Sequence, residues 1–263
     1  VCKRSFRLFS HKNATCRIAS ACYDSITAEI IKQRALLEEY IGRYPLFGTA
    51  LEPVTLVDNP PPIARIMADA AEAAGVGPMA AVAGAIAQMA ARVAIEAGAA
   101  EAIVENGGDL YLHSDKEVIV GLFAGTTRFS AALAFRVAPA MLPRAICSSS
   151  GTMGHSLSFG ACDLATVVSR SAALADAAAT RAGNLVKTAA DIPGALNTIV
   201  SIPGVDGALL IKDDKLGMAG ELPELVKNTD AETIKKITRE KGSLFPGFDE
   251  EVYPDMFNLP KKI

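Results

Sequence analysis

Cys147-Ser-Ser-Ser-Gly-Thr-Met-Gly-His-Ser-Leu-Ser-Phe-Gly160, followed by Ala175-Asp-Ala-Ala-Ala-Thr180, is the stretch that says most about this chain. The first piece sets small, hydroxylated and glycine residues around one histidine. Such a loop lets a ligand approach the backbone closely, because glycine carries no Cβ and adopts positive φ readily. The second piece puts a carboxylate and a hydroxyl at i and i+4, on one face of a helix. Two hard oxygen donors one turn apart suit Mg²⁺ better than zinc. A phosphate-friendly loop beside a hard-metal helix points to chemistry on a phosphorylated cofactor.

The bulk of the chain bounds that reading. Its 263 residues are half hydrophobic and 21% charged, with a mean hydropathy of +0.27, so the chain is globular rather than disordered. A formal charge of −3, 6% aromatic residues and no tryptophan supply neither a basic face nor stacking platforms, so no nucleic acid is expected. The apolar run Met79–Ala100 has membrane-span length. Gln88, Arg92 and Glu96 interrupt it every four residues, and this polar stripe marks a core helix rather than a span. Five cysteines without a Cys-x-x-Cys pair, and three scattered histidines, argue against a zinc cluster and for reduced thiols in the cytoplasm. The start shows no secretory pattern, though Val1 leaves room for a removed leader. A homo-oligomer is compatible with the sequence.

Along the chain, strands are expected at Arg4–Ser10 and Ala14–Cys22, then a helix at Asp24–Ile41 capped by Asp24 or Ser25. Gly42–Pro62 reads as loop. Ile63–Ala74 and Met79–Gly98 read as helices, with Pro78 in the first turn of the second. Strand patterns follow at Ala102–Glu105, Leu110–His113, Glu117–Phe123, Ala131–Val137, Arg144–Cys147 and Leu164–Ser169. Helix returns at Ala172–Ala189 and again after Asp191. Gly207–Lys212 and Lys215–Met218 form a hairpin about Asp213-Asp214, and Asp230–Glu240 reads as a charged helix before a proline-rich tail. The expected architecture is a single α+β domain, residues 1–263, or two closely packed lobes. A mixed or antiparallel sheet would pack against alanine-rich helices.

Three further motifs need weighing. Asn106-Gly-Gly-Asp109 between two apolar runs is by default a tight turn; its functional reading is an amide nest for an anion, with Asp109 fixing a ribose or a metal-bound water. Gly75-Val-Gly-Pro-Met-Ala80 matches the dinucleotide fingerprint but follows a helix, so it reads as a helix–helix corner. Gly154-His-Ser-Leu-Ser158 lacks the second glycine of a nucleophile elbow, which argues against a serine hydrolase and leaves His155 as a ligand or phosphate contact. Asp176 and Thr180 each have a bland account. The first suits an early helical turn, and the second a hydroxyl bonded to its own helix.

Four pieces in order, Gly84-Ala-Ile-Ala-Gln88, Asn106-Gly-Gly-Asp109, Ser150-Gly-Thr-Met-Gly-His155 and Ala175-Asp-Ala-Ala-Ala-Thr180, together resemble the ApbE family of FAD:protein FMN transferases, in a shorter ApbE-like branch. The resemblance implies a T-fold-like α+β architecture, an FAD pocket and a Mg²⁺ at Ala87 (backbone carbonyl), Asp176 and Thr180. It implies cofactor contacts at Asn106, Gly107, Gly108, Asp109, Ser150, Gly151, Thr152 and His155, and catalysis resting on His155 and Asp176. The acceptor would be a protein threonine in a transferase or water in an FAD diphosphatase. A non-catalytic flavin or nucleotide binder that keeps the pocket is the alternative. Two departures stand out: Gln88-Met89 occupies the place of a typical Lys-Gly, and Ser156-Leu-Ser-Phe-Gly160 replaces a segment bearing Asp-Pro.

Overall fold

The computed structural model describes residues 4–12, 14–151 and 160–229. Short apolar runs, buried on both faces in the central strands, build an eight-stranded sheet in the order β1-β2-β3-β4-β7-β8-β9-β10. Its strands are β1 (Arg7–His11), β2 (Ala14–Ser20), β3 (Glu101–Asn106), β4 (Asp109–Ser114), β7 (Arg144–Ser149), β8 (Leu164–Ser169), β9 (Val205–Lys212) and β10 (Lys215–Gly220). Every neighbouring pair is antiparallel. A second sheet, β11-β6-β5, joins β5 (Val118–Leu122), β6 (Leu133–Val137) and β11 (Glu224–Lys227).

Side chains on a strand alternate between faces, so the large sheet is covered twice. On one face Cys16, Ile18, Val104, Tyr111, Cys147, Val167 and Leu210 pack against the helices. On the other Ile103, Leu112, Ile146, Val168 and Leu209 meet Val120, Leu122, Phe135 and Val137 of the small sheet. The helices are α1 (Tyr23–Arg43), α2 (Pro45–Thr49), α3 (Pro62–Ala74), α4 (Val82–Glu96), α5 (Ala172–Leu185) and α6 (Ile192–Val200). Alanine dominates the facing sides of α3, α4 and α5, and its single methyl group lets helix axes approach closely.

Several expectations are refined. The mixed α+β class with a mainly antiparallel sheet is observed, as is the helix–helix corner at 75–80. Asp24 and Ser25 do not cap α1: Cys22 takes the N-cap position without a side-chain bond, and Asp24 falls inside the first turn. The expected loop Gly42–Pro62 contains α2, and the helix expected at Met79–Gly98 divides into a 3-10 turn, Pro78–Ala81, and α4. The expected helix Asp230–Glu240 and the tail after it lie outside the described residues. Pro78–Glu96 has the length and apolar character to cross a membrane, yet 67% of that stretch is buried inside the protein.

The polar stripe on α4 is only partly a solvent stripe. Arg92 and Glu96 are exposed, but Gln88 is 7% exposed, and its Oε1 accepts a hydrogen bond from Ala172 N, the first amide of α5, at 2.7 Å. In return Asp176 Oδ2 on α5 accepts from Gly84 N in the first turn of α4 at 2.9 Å. The two helices therefore run antiparallel and cap one another, each supplying an acceptor for amides that its partner's own ladder leaves unbonded. Gly84 permits the approach: a Cβ there would lie 2.2 Å from Ala172 O.

Gly84→Ala is accordingly expected to lower unfolding free energy by about 1–3 kcal/mol through overpacking against backbone. Gln88→Leu should lose about 1–3 kcal/mol by leaving a buried amide unbonded. Urea titration followed by circular dichroism checks both, and a wild-type midpoint in either would refute the reciprocal cap.

Candidate functional site

Strand register gathers the motifs at one end of the large sheet. The hairpin tip at His11–Ala14, the turn joining Asn106 to Asp109, the end of β7 at Ser149 and the start of β8, and the Lys212–Lys215 turn all lie there. The first turn of α4 reaches the same end, where Asn106 Nδ2 donates to Ala83 O at 3.3 Å. α5 runs toward it, and Ala161 N bonds to Val186 O just past its last turn.

The turn Asn106-Gly-Gly-Asp109 has φ of +64° at Gly107 and +106° at Gly108. Positive values at both central residues make a primed hairpin turn, which glycine adopts without steric cost. Among the described residues, a Cβ built on Gly108 would meet only Ser148 O, at 3.9 Å. Beside it, Ser148 Oγ and Thr166 Oγ1 stand 2.9 Å apart on neighbouring strands. Gly151 N bonds to Cys162 O at 2.8 Å, which fixes the exit from β7. Ser150 and Gly151 are therefore at this end, whereas Thr152 and His155 lie outside the described residues.

Beneath the turn, on the helix side, Asn106 and Asp109 are buried cross-strand partners. Burial pushes the Cys147 thiol well above its ordinary value, and the carboxylates of Asp109 and Asp176 push it further, Asp109 by a direct hydrogen bond as well. The thiol is thus neutral at physiological pH, flanked by two carboxylates. Asp176 and Thr180 are half-buried on α5, the first held by Gly84 N. Among the described residues no three His, Cys, Asp or Glu side chains form a metal-holding group.

The bonds that join α4 to α5 fall at Gly84 and Gln88, on either side of Ala87. Gly84 faces Asp176 and Gln88 faces Ala172, so Thr180 lies beyond the start of α4 while Ala87 lies the other way. The structure brings Asp176 to the Gly84 amide, with Thr180 toward the 3-10 turn.

The family described as AbpE bacteria matches residues 13–196, which include every described motif residue of this site. The chain belongs to that family. A UPF0280 protein of Methanothrix thermoacetophila is 46% identical over 74% of this chain and 82% of its own length. One of Methanocaldococcus jannaschii is 42% identical over 82% and 86%. Among solved structures, the ApbE protein of Thermotoga maritima superposes with a TM-score of 0.51 at 11% identity, covering 90% of this chain and 100% of that one. That likeness is one of fold, and the ApbE-like α+β fold is what the chain has.

Within this AbpE-family chain, three parts of the site escaped the sequence. Gln88 looked like the loss of a cation and is an acceptor for α5. Cys147 looked like a strand residue and sits between two carboxylates. The Ser148–Thr166 pair required the β7–β8 register, and counting alternation back from Ala165 opposite Ser149 is the signal that finds it.

Burial also pushes the Cys162 thiol up, to about 11. A group whose pKa is raised by folding contributes stability that is fully present below the unfolded value, and that stability is lost as pH rises through the folded one. Between the ordinary thiol value of 9.0 and about 11, wild-type stability should therefore fall more steeply than that of Cys162→Ala. Urea midpoints for both proteins at pH 8.5 and 10.5 measure this; parallel declines would refute it.

Proposed function

We propose that this chain is an ApbE-like flavin-nucleotide protein that binds FAD with Mg²⁺ at the Gly107–Gly108 end of its large sheet. The observation that carries the reading is the convergence there of segments far apart in sequence: the first turn of α4, the Asn106–Asp109 turn, the end of β7 and the Asp176–Thr180 face of α5. The residues fit both groups. The open primed turn presents backbone to an anion without Cβ obstruction, and Asp176 and Thr180 offer the hard oxygens that Mg²⁺ prefers.

When bound, Mg²⁺ would supply charge neutralisation on the diphosphate. The chain's own part is positioning. Gly107 and Gly108 admit phosphate to the backbone, and the Gly84 amide fixes the Asp176 carboxylate. Binding of an acceptor threonine or a water would complete an FMN transferase or an FAD diphosphatase. A second reading, a flavin binder without turnover, is favoured by Gln88. Where typical relatives carry lysine, its amide is committed to the start of α5, and catalysis by positioning loses about a hundredfold for a 1 Å misplacement.

Incubation with FAD, Mg²⁺ and a threonine-bearing target protein tests the reading, with AMP release followed by chromatography and the target weighed by mass spectrometry. Flavin binding with slow or no FMN adduct is expected; a rapid stoichiometric adduct would show an ordinary transferase. Absence of any FAD binding would overturn the flavin assignment.

Asp176→Ala should abolish the rise in thermal midpoint that Mg²⁺ gives the wild type. Because Asp176 also caps α4, the variant should lose about 1 kcal/mol without metal. A variant that retains the magnesium-dependent rise would refute its ligand role. Gly108→Val, which forces a β-branched residue to positive φ at a cost of about 1–3 kcal/mol, should weaken FAD binding measured in EDTA. Equal affinity in the folded variant would reduce the turn to a structural one.

A further inference from the structure

Residues 160–163 are pinned at every position. A Cβ on Gly160 would stand 1.8 Å from Gly183 O and 3.0 Å from Asn184 Cα, so the backbone of this residue lies directly on the last turn of α5. Ala161 N donates to Val186 O at 2.9 Å. Cys162 Sγ donates to Ile211 O at 3.3 Å, and Asp163 N to the same carbonyl at 3.0 Å. Asp163 Oδ2 in turn accepts from Asp213 N at 2.6 Å. The segment is thus fixed between the end of α5 and the turn joining β9 to β10.

This segment is also the template for the exit from β7. Gly151 N donates to Cys162 O at 2.8 Å, and a Cβ on Gly151 would lie 2.4 Å from Gly160 O. The side of Gly151 that lacks a side chain therefore faces Gly160 rather than a ligand. Gly151, Gly160 and Gly183 form a stack of backbone on backbone, and no side chain keeps its layers apart. Gly183 follows Asp176 by seven residues and Thr180 by three, so all three share one face of α5. The stack bears on the face that carries the two hard oxygens, about one helical turn beyond Thr180.

Resting on the flavin reading above, we propose that Gly160 is a positioning residue that sets the distance from Ser150 and Gly151, at the end of β7, to the Asp176–Thr180 face of α5. The nucleotide must span that distance. A methyl group at position 160 would reach an ordinary contact of about 3.5 Å only by opening the stack by roughly 1.5 Å. Sites that act by positioning lose about a hundredfold for 1 Å, so the displacement is large enough to be read in ligand affinity.

The test uses the full chain, with FAD affinity measured by flavin fluorescence quenching in the presence of Mg²⁺ and urea midpoints by circular dichroism. Wild type is compared with Gly160→Ala and with Gly207→Ala. A Cβ on Gly207 would likewise strike backbone, 2.6 Å from Glu221 O, but toward the other end of the sheet, where Gly207 pairs with Gly220. Both variants are expected to unfold at lower urea, and only Gly160→Ala to bind FAD at least tenfold more weakly. Wild-type affinity in folded Gly160→Ala would overturn the proposal. Affinity lost by both variants in proportion to their midpoints would overturn it too, by making Gly160 a purely structural residue. If Gly160→Ala does not fold, Gly151→Ala, whose methyl group meets the same stack at a longer distance, takes its place with the same two outcomes. A wild type that binds no FAD would end the flavin reading and the proposal together, whereas equal binding by wild type and Gly160→Ala would end the proposal alone.

Discussion

The reciprocal capping of α4 and α5 is the constraint on which the rest of this structure depends. Asp176 serves the first turn of α4, Gln88 serves the first turn of α5, and Gly84 lets the two backbones meet. A helix end buried without acceptors is unfavourable, so two helices that begin inside the protein must be terminated by something other than water. Here each is terminated by the other. The exchange fixes their relative translation to within a hydrogen bond, and with it the depth at which Asp176 stands below the Gly107–Gly108 turn. The site is set by helix termination before any ligand is considered.

The same constraint selects the kind of residue that stands at position 88. A lysine at position 88 could not accept from Ala172 N, since an ammonium has donors only. Glutamine can, and it does so from a largely buried position. Alanine supports this arrangement: α5 buries a near-continuous run of small side chains, and larger ones would hold the axes too far apart for either cap to form.

Much of the fold was legible because its signals are local. Short apolar runs bounded by polar residues mark β3, β4 and β8, and Asn106-Gly-Gly-Asp109 announces its own turn. What escaped was set by distant partners. β11 is four residues that become a strand by pairing with β6, about ninety positions away, and α2 is one turn of helix within a proline-rich stretch. The motif residues were recognisable as a set, but their depth was not. Whether residue 87 or residue 84 faces Asp176 depends on how two helices slide past each other, and no spacing within either helix records that.

The order of strands in the large sheet has a kinetic consequence. β2 pairs with β3 although α1, α2, α3 and α4 intervene between them, and β4 pairs with β7 across β5 and β6, two of the three strands of the small sheet. Closing such loops costs chain entropy before any contact repays it, and folds dominated by distant pairings reach their native state slowly. The β1–β2 hairpin is made well before β3, and it cannot become part of a larger sheet until some eighty further residues have been made. For that interval its Cys16 and Ile18, destined for the core, face water on a ribbon too small to be stable alone. A hairpin made early is thus locked late, and over that interval its apolar face stays open to unwanted pairing.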